Sequence, residues 1–314
     1  MKLFGVLMFG LLFFTGSCGG SSKSKESVRA DEEVGDKQPK KDLVKVYKEY
    51  VAELDSNDVK SIESAMNMYK QIFKDANVEE CDTAFLAFHH LYEGMTYILN
   101  ETVMNNVKLQ ETVWIAFDEN GKKLPMPKAY IKEENKVKSY GYRLEFPEGM
   151  ICIGYDRSYI SKHFYDFVSP TMKSYLERLN KDNEDKFAGD AAIMISEKEY
   201  VERLIWYENF EKKNPDFPYK DRVKATRQQL FSFFLTGMDN TPVKDYGSDE
   251  ISDYFKNAYT FLEQKYPNSE TWRRTKPYKQ AMLDNDVPKM EKLLSDYTKK
   301  GWTFDFENNY ELYF

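Results

Sequence analysis

Between residues 42 and 110 the apolar side chains recur every three or four positions, the spacing of one helical face. In residues 42–54, Leu43, Tyr47, Tyr50, Val51 and Leu54 share a face. A second helix is predicted from near Asp58, with Val59, Ile62, Met66, Tyr69 and Ile72/Phe73 as its stripe, stopping at Lys74-Asp75-Ala76-Asn77. Asn77 and Glu80 then form a capping box, in which a side-chain oxygen takes up an amide proton left free in the first turn. The helix that follows carries Cys81, Phe85, Phe88, Tyr92 and Met95 and is predicted to be the most buried of the three.

The period changes near residue 111. Thr112 to Phe117 is β-branched and aromatic, and Asp118-Glu119-Asn120-Gly121 is a hairpin-type turn signal. Tyr140, Tyr142, Leu144 and Phe146 alternate with polar or small residues, Pro147-Glu148-Gly149 turns the chain, and Met150 to Tyr155 answers as a second strand. Residues 111–156 therefore read as a small antiparallel sheet, with Cys152-Ile153 in its core. Helices return after Asp156. Ser169-Pro170 opens one, since proline at the first helical position loses no needed hydrogen bond. Ser196 with Glu199 is a second capping box, flanked by the Ile195/Tyr200 staple.

An ungapped self-match links two stretches 52 residues apart. Tyr207, Glu211, Lys213, Pro215, Arg222, Lys224 and Gln228 recur as Tyr259, Glu263, Lys265, Pro267, Arg274, Lys276 and Gln280. Phe210/Leu262, Leu230/Met282 and Phe231/Leu283 keep apolar character. Each copy reads as a helix ending at Lys-x-Pro, a short turn and a second helix; proline cannot continue a helix interior and so punctuates both alike. Repeated helix pairs bury their apolar faces against their neighbours, as in α-solenoids. A last helix opens at Val287-Pro288, packs Met290, Leu293, Leu294 and Tyr297 inward, and ends at Lys299-Lys300-Gly301, where glycine suits a left-handed cap. Trp302, Phe304 and Phe306 follow as a strand or coil over residues 302–314.

The expected fold class is mainly α: helical hairpins, with an α-solenoid-like repeat in 200–301 and a small antiparallel β-sheet insert near 111–156. The helical parts are 42–110 and 157–301.

Composition narrows the function. A formal net charge of −7 with mixed signs lacks the basic footprint of a nucleic-acid binder, so no nucleic-acid partner is expected. The 23 Tyr and 22 Phe could supply sugar- or peptide-binding surfaces, but their helical spacing places most of them in the core. Cys81 and Cys152 read as two buried thiols or, in an oxidising compartment, as a disulfide. His89 and Glu93 lie four apart on one helical face, a spacing that could bring two ligands to a metal. No second motif completes such a site, and the simpler reading is a hydrogen-bonded helical histidine. His163, beside Ser161, could activate a serine, but no Gly-x-Ser-x-Gly elbow accompanies it. There is no phosphate-binding glycine loop, and Asp182-Asn183-Glu184-Asp185-Lys186 places lysine where a calcium loop needs oxygen. No catalytic, cofactor or metal residue is assigned.

The N-terminus carries the remaining signal. Lys2 precedes the apolar-and-glycine run Phe4 to Phe14, then Thr15-Gly16-Ser17 precedes Cys18. That is the layout of an export signal, and the run is too short to cross a core of about 30 Å, which takes roughly 20 residues. Residues 15–18 resemble the lipobox of bacterial lipoproteins, in the style of those of Bacteroidota, although that family usually carries an aliphatic residue where Thr15 stands. The resemblance implies cleavage of residues 1–17 and lipidation of Cys18. It also implies membrane attachment through two or more acyl chains, in the envelope and most simply in the outer membrane facing the periplasm. Residues 18–41 hold only Val28 and Val34 as sizeable apolar side chains, so they read as a disordered tether spanning about 25–30 Å. Phe261 to Ser269 faintly resembles the inter-helix stretch of tetratricopeptide-like repeats; the 52-residue period and Pro277 depart from that pattern. Together these readings imply a lipid-anchored, non-catalytic envelope protein that binds or scaffolds a protein, peptide or glycan. An envelope hydrolase and an inhibitor or immunity-type lipoprotein are the alternatives. In cells fed radiolabelled palmitate, the wild-type chain is expected to take up label and fractionate with membranes. Cys18→Ala is expected to lose both, and an unchanged membrane fraction would contradict the anchor.

Overall fold

In the computed structural model the described residues are 42–115, 125–245 and 247–306. The export signal, Cys18, the tether, the turn at 118–121 and residues 307–314 lie outside them. The described chain is mainly helical, as the periodicity predicts, with short two-stranded antiparallel sheets.

The first three helices are α1 (Leu43–Ala52), α2 (Lys60–Ile72) and α3 (Val78–Met104). The Asn77 side chain accepts from the Glu80 amide at 2.9 Å, so the predicted cap forms. α3 buries Cys81, Phe85, Phe88, Tyr92 and Met95 and forms the spine on which α1 and α2 pack.

The next segment departs from expectation. Thr112 to Ile115, predicted as strand, belongs to helix α4 (Val107–Ile115). Local and tertiary bonds override the β-propensity there. The Thr112 hydroxyl donates back to the Leu109 carbonyl at 2.6 Å. The Gln110 side chain donates to the Val103 and Ile151 carbonyls and accepts from the Ile151 amide. A further helix, α5 (Lys128–Lys138), buries Tyr130 and Val137. The sheet expected over 111–156 thus contracts to β1 (Tyr142–Glu145) and β2 (Cys152–Tyr155), joined through a 3-10 turn at Pro147–Gly149. Their register pairs Tyr142 with Tyr155 and Glu145 with Cys152. Cys81 is buried, Cys152 is half-buried, and both are free thiols.

From β1 onward the chain repeats a simple order, a β-hairpin followed by two helices. β1 and β2 lead into α6 (Ser158–Phe164) and α7 (Pro170–Glu184). β3 (Ala188–Gly189) and β4 (Ala192–Ile193) lead into α8 (Glu197–Lys213) and α9 (Lys220–Thr236). β5 (Gly237–Met238) and β6 (Thr241–Pro242) lead into α10 (Asp253–Lys265) and α11 (Glu270–Leu283). α12 (Val287–Lys299) closes the array, with Gly301 in the left-handed region at φ 66°. Residues 302–306 form no strand, and Phe304 is buried.

The self-match has a structural counterpart. α8 and α10 end at the matched residues Lys213 and Lys265, and their caps, Asn214 and Tyr266, share a conformation (φ −129°, ψ 62° and φ −133°, ψ 50°). The cap amides donate to the carbonyls of the matched pair Phe210 and Leu262. Tyr207/Tyr259, Phe210/Leu262 and Leu230/Met282 are buried in both copies. Phe231 and Leu283 differ: Phe231 is buried, whereas α11 stops at Leu283 and leaves it exposed.

Much of the tyrosine content serves the core. A buried phenol needs a partner for its hydroxyl, and here the partner is often a carbonyl on another element. Tyr47 donates to Ala65, Tyr69 to Cys81, Tyr142 to Tyr92, Tyr200 to Leu230 and Tyr259 to Phe234, at 2.6–3.1 Å. Between α7 and α8 lies an ionic cluster. Arg178 and Arg203, the latter 2% exposed, share Asp182 and Glu199. Arg203 also donates to the Asp185 carbonyl at 2.8 Å, and Tyr207 to Asp182 at 2.7 Å. Removing Arg203 takes one of two guanidinium groups from a largely buried carboxylate pair and leaves the Asp185 carbonyl without its donor. Arg203→Met is therefore expected to lower stability by about 3–5 kcal/mol in urea unfolding, whereas Lys45→Gln on α1, whose partner is exposed, is expected to change it by less than about 0.5 kcal/mol. Equal effects would remove the cluster from its assigned role.

Candidate functional site

The repeat array places α8, α9, the start of α11 and the end of α12 around a cleft of about 570 Å³. α9 contributes Lys220, Lys224, Arg227 and Phe231, positions spaced to share one helical face. α11 contributes Arg274, and the turn after α12 contributes Lys300 and Trp302. The Arg274 guanidinium stacks on Trp302, 3.5 Å from the ring centroid, and Lys300 lies 5.1 Å from the same ring. Gly301 holds this corner closed: its carbonyl accepts from Gln228 at 2.6 Å, and the Trp302 carbonyl accepts from Arg227 at 3.3 Å.

The glutamates in the cleft are engaged. Glu208 caps α11, accepting from the Glu270 and Thr271 amides and the Thr271 hydroxyl at 2.7–2.9 Å. Glu211 pairs with Arg227 at 2.5 Å, and Glu270 with Arg274 at 2.6 Å. Burial, followed by the like charge of Arg227, depresses Arg274 below the usual guanidinium range, and its Nε is buried without a hydrogen-bond partner.

The residues singled out for chemistry lie elsewhere. His89 is fully buried in α3, stacked on Phe85, with the Tyr219 hydroxyl 2.8 Å from Nδ1. With that hydroxyl donating, the Nε2 proton faces the Glu93 carboxylate at 3.6 Å. Glu93 in turn pairs with Arg222 at 2.9 Å. Burial opposes the charge on Glu93, but His89 and Arg222 hold its carboxyl below the usual range. His89 is thus the hydrogen-bonded helical histidine of the simpler reading, at a polar junction between α3 and α9. His89 Nε2, Arg157 Nε and the Tyr175 hydroxyl are buried without hydrogen-bond partners. His163 accepts from Lys70 at 2.7 Å through Nδ1, while the Ser161 hydroxyl donates to the Ser158 carbonyl, so the two do not form a nucleophile–base pair. Asp182 belongs to the α7–α8 ionic cluster. Among the described residues, no group of three His, Cys, Asp or Glu is placed to hold a metal ion, and no helix is long and apolar enough to cross a membrane.

The sequence offered its Tyr and Phe as candidate sugar- or peptide-binding surfaces. It did not single out Lys220, Lys224, Arg227 or Lys300. The basic i, i+4, i+7 series on α9 was readable; its convergence with the start of α11 and the turn after α12 was not. No family model matches the chain, and no curated protein or solved structure matches it.

His89 supplies a pH test. Burial, reinforced by Arg157 and Arg222 against the opposing pull of Glu93, lowers its pKa to about 4. A histidine whose folded pKa falls below its unfolded value stabilises the fold above the unfolded pKa near 6.5, and that contribution is lost as pH falls toward 4. At about 1.4 kcal/mol per pKa unit the loss is about 3 kcal/mol. His163, also lowered to about 4 by burial and Lys70, acts in the same direction. The wild-type melting temperature is expected to fall between pH 6.5 and 4.5, and His89→Gln to be less stable at pH 7 but flatter across that window. Parallel pH curves for the two would contradict the assignment.

Proposed function

We propose that this chain is a lipid-anchored protein of the bacterial cell envelope whose helical-repeat body binds or scaffolds a protein, peptide or glycan partner without catalysis. The anchor is Cys18, the membrane is the outer membrane facing the periplasm, and residues 18–41 give the body reach. The observation that carries the binding role is the cleft walled by α8, α9 and α11, with the Arg274–Trp302 stack in its wall. Its volume lies in the range of ligand-holding clefts, about 300–1,000 Å³. Arginine and tryptophan are also the side chains that most often dominate contact energies. The pairing of His89 with Tyr219, and of His163 with Lys70, leaves both histidines in structural roles, which supports a binding rather than a hydrolytic reading.

A photo-crosslinking residue placed at Lys220, on the cleft, is expected to give a discrete adduct in living cells, while the same residue at Lys45 on α1 gives none. No adduct from position 220, or the same adduct from both positions, would contradict the proposal.

A further inference from the structure

We infer that the cleft takes an acidic peptide segment, recognised through several carboxylates at once; this deepens the proposed binding role and rests on it. The inference starts from charge bookkeeping inside the cleft. Each of the three glutamates on its wall already has a partner: Glu208 the amides at the start of α11, Glu211 the Arg227 guanidinium, and Glu270 the Arg274 guanidinium. Asp221 is the remaining acid, and it sits in the first turn of α9, where a negative charge answers the helix dipole. Against it, Lys212, Lys220, Lys224 and Lys300 make no salt bridge among the described residues, and all four line the cleft. Lys300 approaches the Trp302 ring and lies within electrostatic reach of Asp296 near the end of α12.

Like charges gathered in a concave surface repel one another, and concavity focuses their field. A mutual partner of opposite sign relieves that repulsion. A second cleft of about 660 Å³, beside β1 and the α7–α8 turn, shows the contrast. There both lining cations are paired, Arg143 with the lining Glu184 and with Glu145 behind it, and Lys186 with Glu145; the lining Glu199 takes Arg178 and Lys181, and Asp185 is the one lining charge without a salt bridge among the described residues. One cleft leaves no lining cation unpaired; the other keeps spare cations.

Two features favour a peptide over an acidic sugar chain. A sugar needs an open aromatic face, but Arg274 already covers one face of Trp302 at 3.5 Å and Lys300 stands near the ring. The ring-side carbonyls of Gly301 and Trp302, which could accept from sugar hydroxyls, already accept from Gln228 and Arg227. What remains open is cationic, on flexible lysine stems that adapt to a run of aspartate or glutamate side chains.

Fluorescein-labelled hexaglutamate, titrated into the mature full-length chain in detergent and followed by anisotropy, tests the inference. Binding is expected to weaken at least tenfold in Lys224→Gln/Lys300→Gln and to fall steeply between low and physiological salt. It is expected to be unchanged in Lys45→Gln, and hexaglutamine is expected not to bind. The substituted lysines are exposed, so the double variant is expected to keep the wild-type melting temperature; Lys220→Gln alone, with a smaller loss, gives an independent reading. Hexaglutamate binding no better than hexaglutamine, equal binding to the double variant, or binding of oligogalacturonate in its place would overturn the inference. A crosslinked partner at position 220 in cells alongside any of these results would retain the binding role and discard only the acidic-peptide class.

Discussion

The arrangement of the helical array depends on the ionic cluster between α7 and α8. Arg178 and Arg203 are almost removed from water, and a guanidinium does not give up its proton in a protein. The fold therefore has to supply carboxylates beside them, and Asp182 on α7 and Glu199 on α8 do so. Glu199 also carries the amide that Ser196 caps, so one residue ties the start of α8 to the side of α7. Burial opposes its charge, but Lys181 and Arg178 hold its carboxyl below the usual range. Tyr207, the first residue of the repeat match, donates to Asp182. The cluster thus ties α7 to α8, the first helix of the repeat, and the second repeat follows by packing α10 and α11 against α8 and α9.

That dependence explains what could be read from the sequence and what could not. Capping chemistry is local, so the helix starts at Asn77, Ser169 and Ser196 were legible, and each side chain accepts a first-turn amide. The same holds for the Gly301 stop and the paired ends at Lys213 and Lys265. The strand expected at Thr112 failed because its β-branched residues were read without Gln110, whose side chain bonds three backbone groups, two of them on Ile151. The hairpins before α8 and α10 are two residues per strand, too short for alternation to register. The turn between β3 and β4 uses Asp190 and Ala191 at φ 48° and 51° in place of the glycine that would have marked it. Its tip is held by long-range bonds, with the Asn240 amide donating to Ala191 and Asn240 Nδ2 to Asp190.

The cleft follows the same division. Its basic series on α9 is a one-dimensional pattern, but its other half comes from the turn after α12, some 75 residues later. Arg227 and Gln228 on α9 bond the carbonyls of Trp302 and Gly301 and so draw that turn over the repeat. Gly301 serves there twice: its left-handed conformation ends α12, and its carbonyl anchors the aromatic corner. The feature that makes this surface distinctive is the imbalance left after its glutamates have found partners within it, and composition alone hides it, because the chain as a whole is acidic.

The most direct measurement is lysine footprinting by an amine-reactive reagent, read by mass spectrometry in intact envelopes and in the purified lipidated chain. The account predicts that Lys220, Lys224 and Lys300 lose reactivity in the envelope, while Lys45 reacts alike in both. Equal reactivity of the cleft lysines in the two preparations would show that nothing occupies this surface in place and would contradict the account.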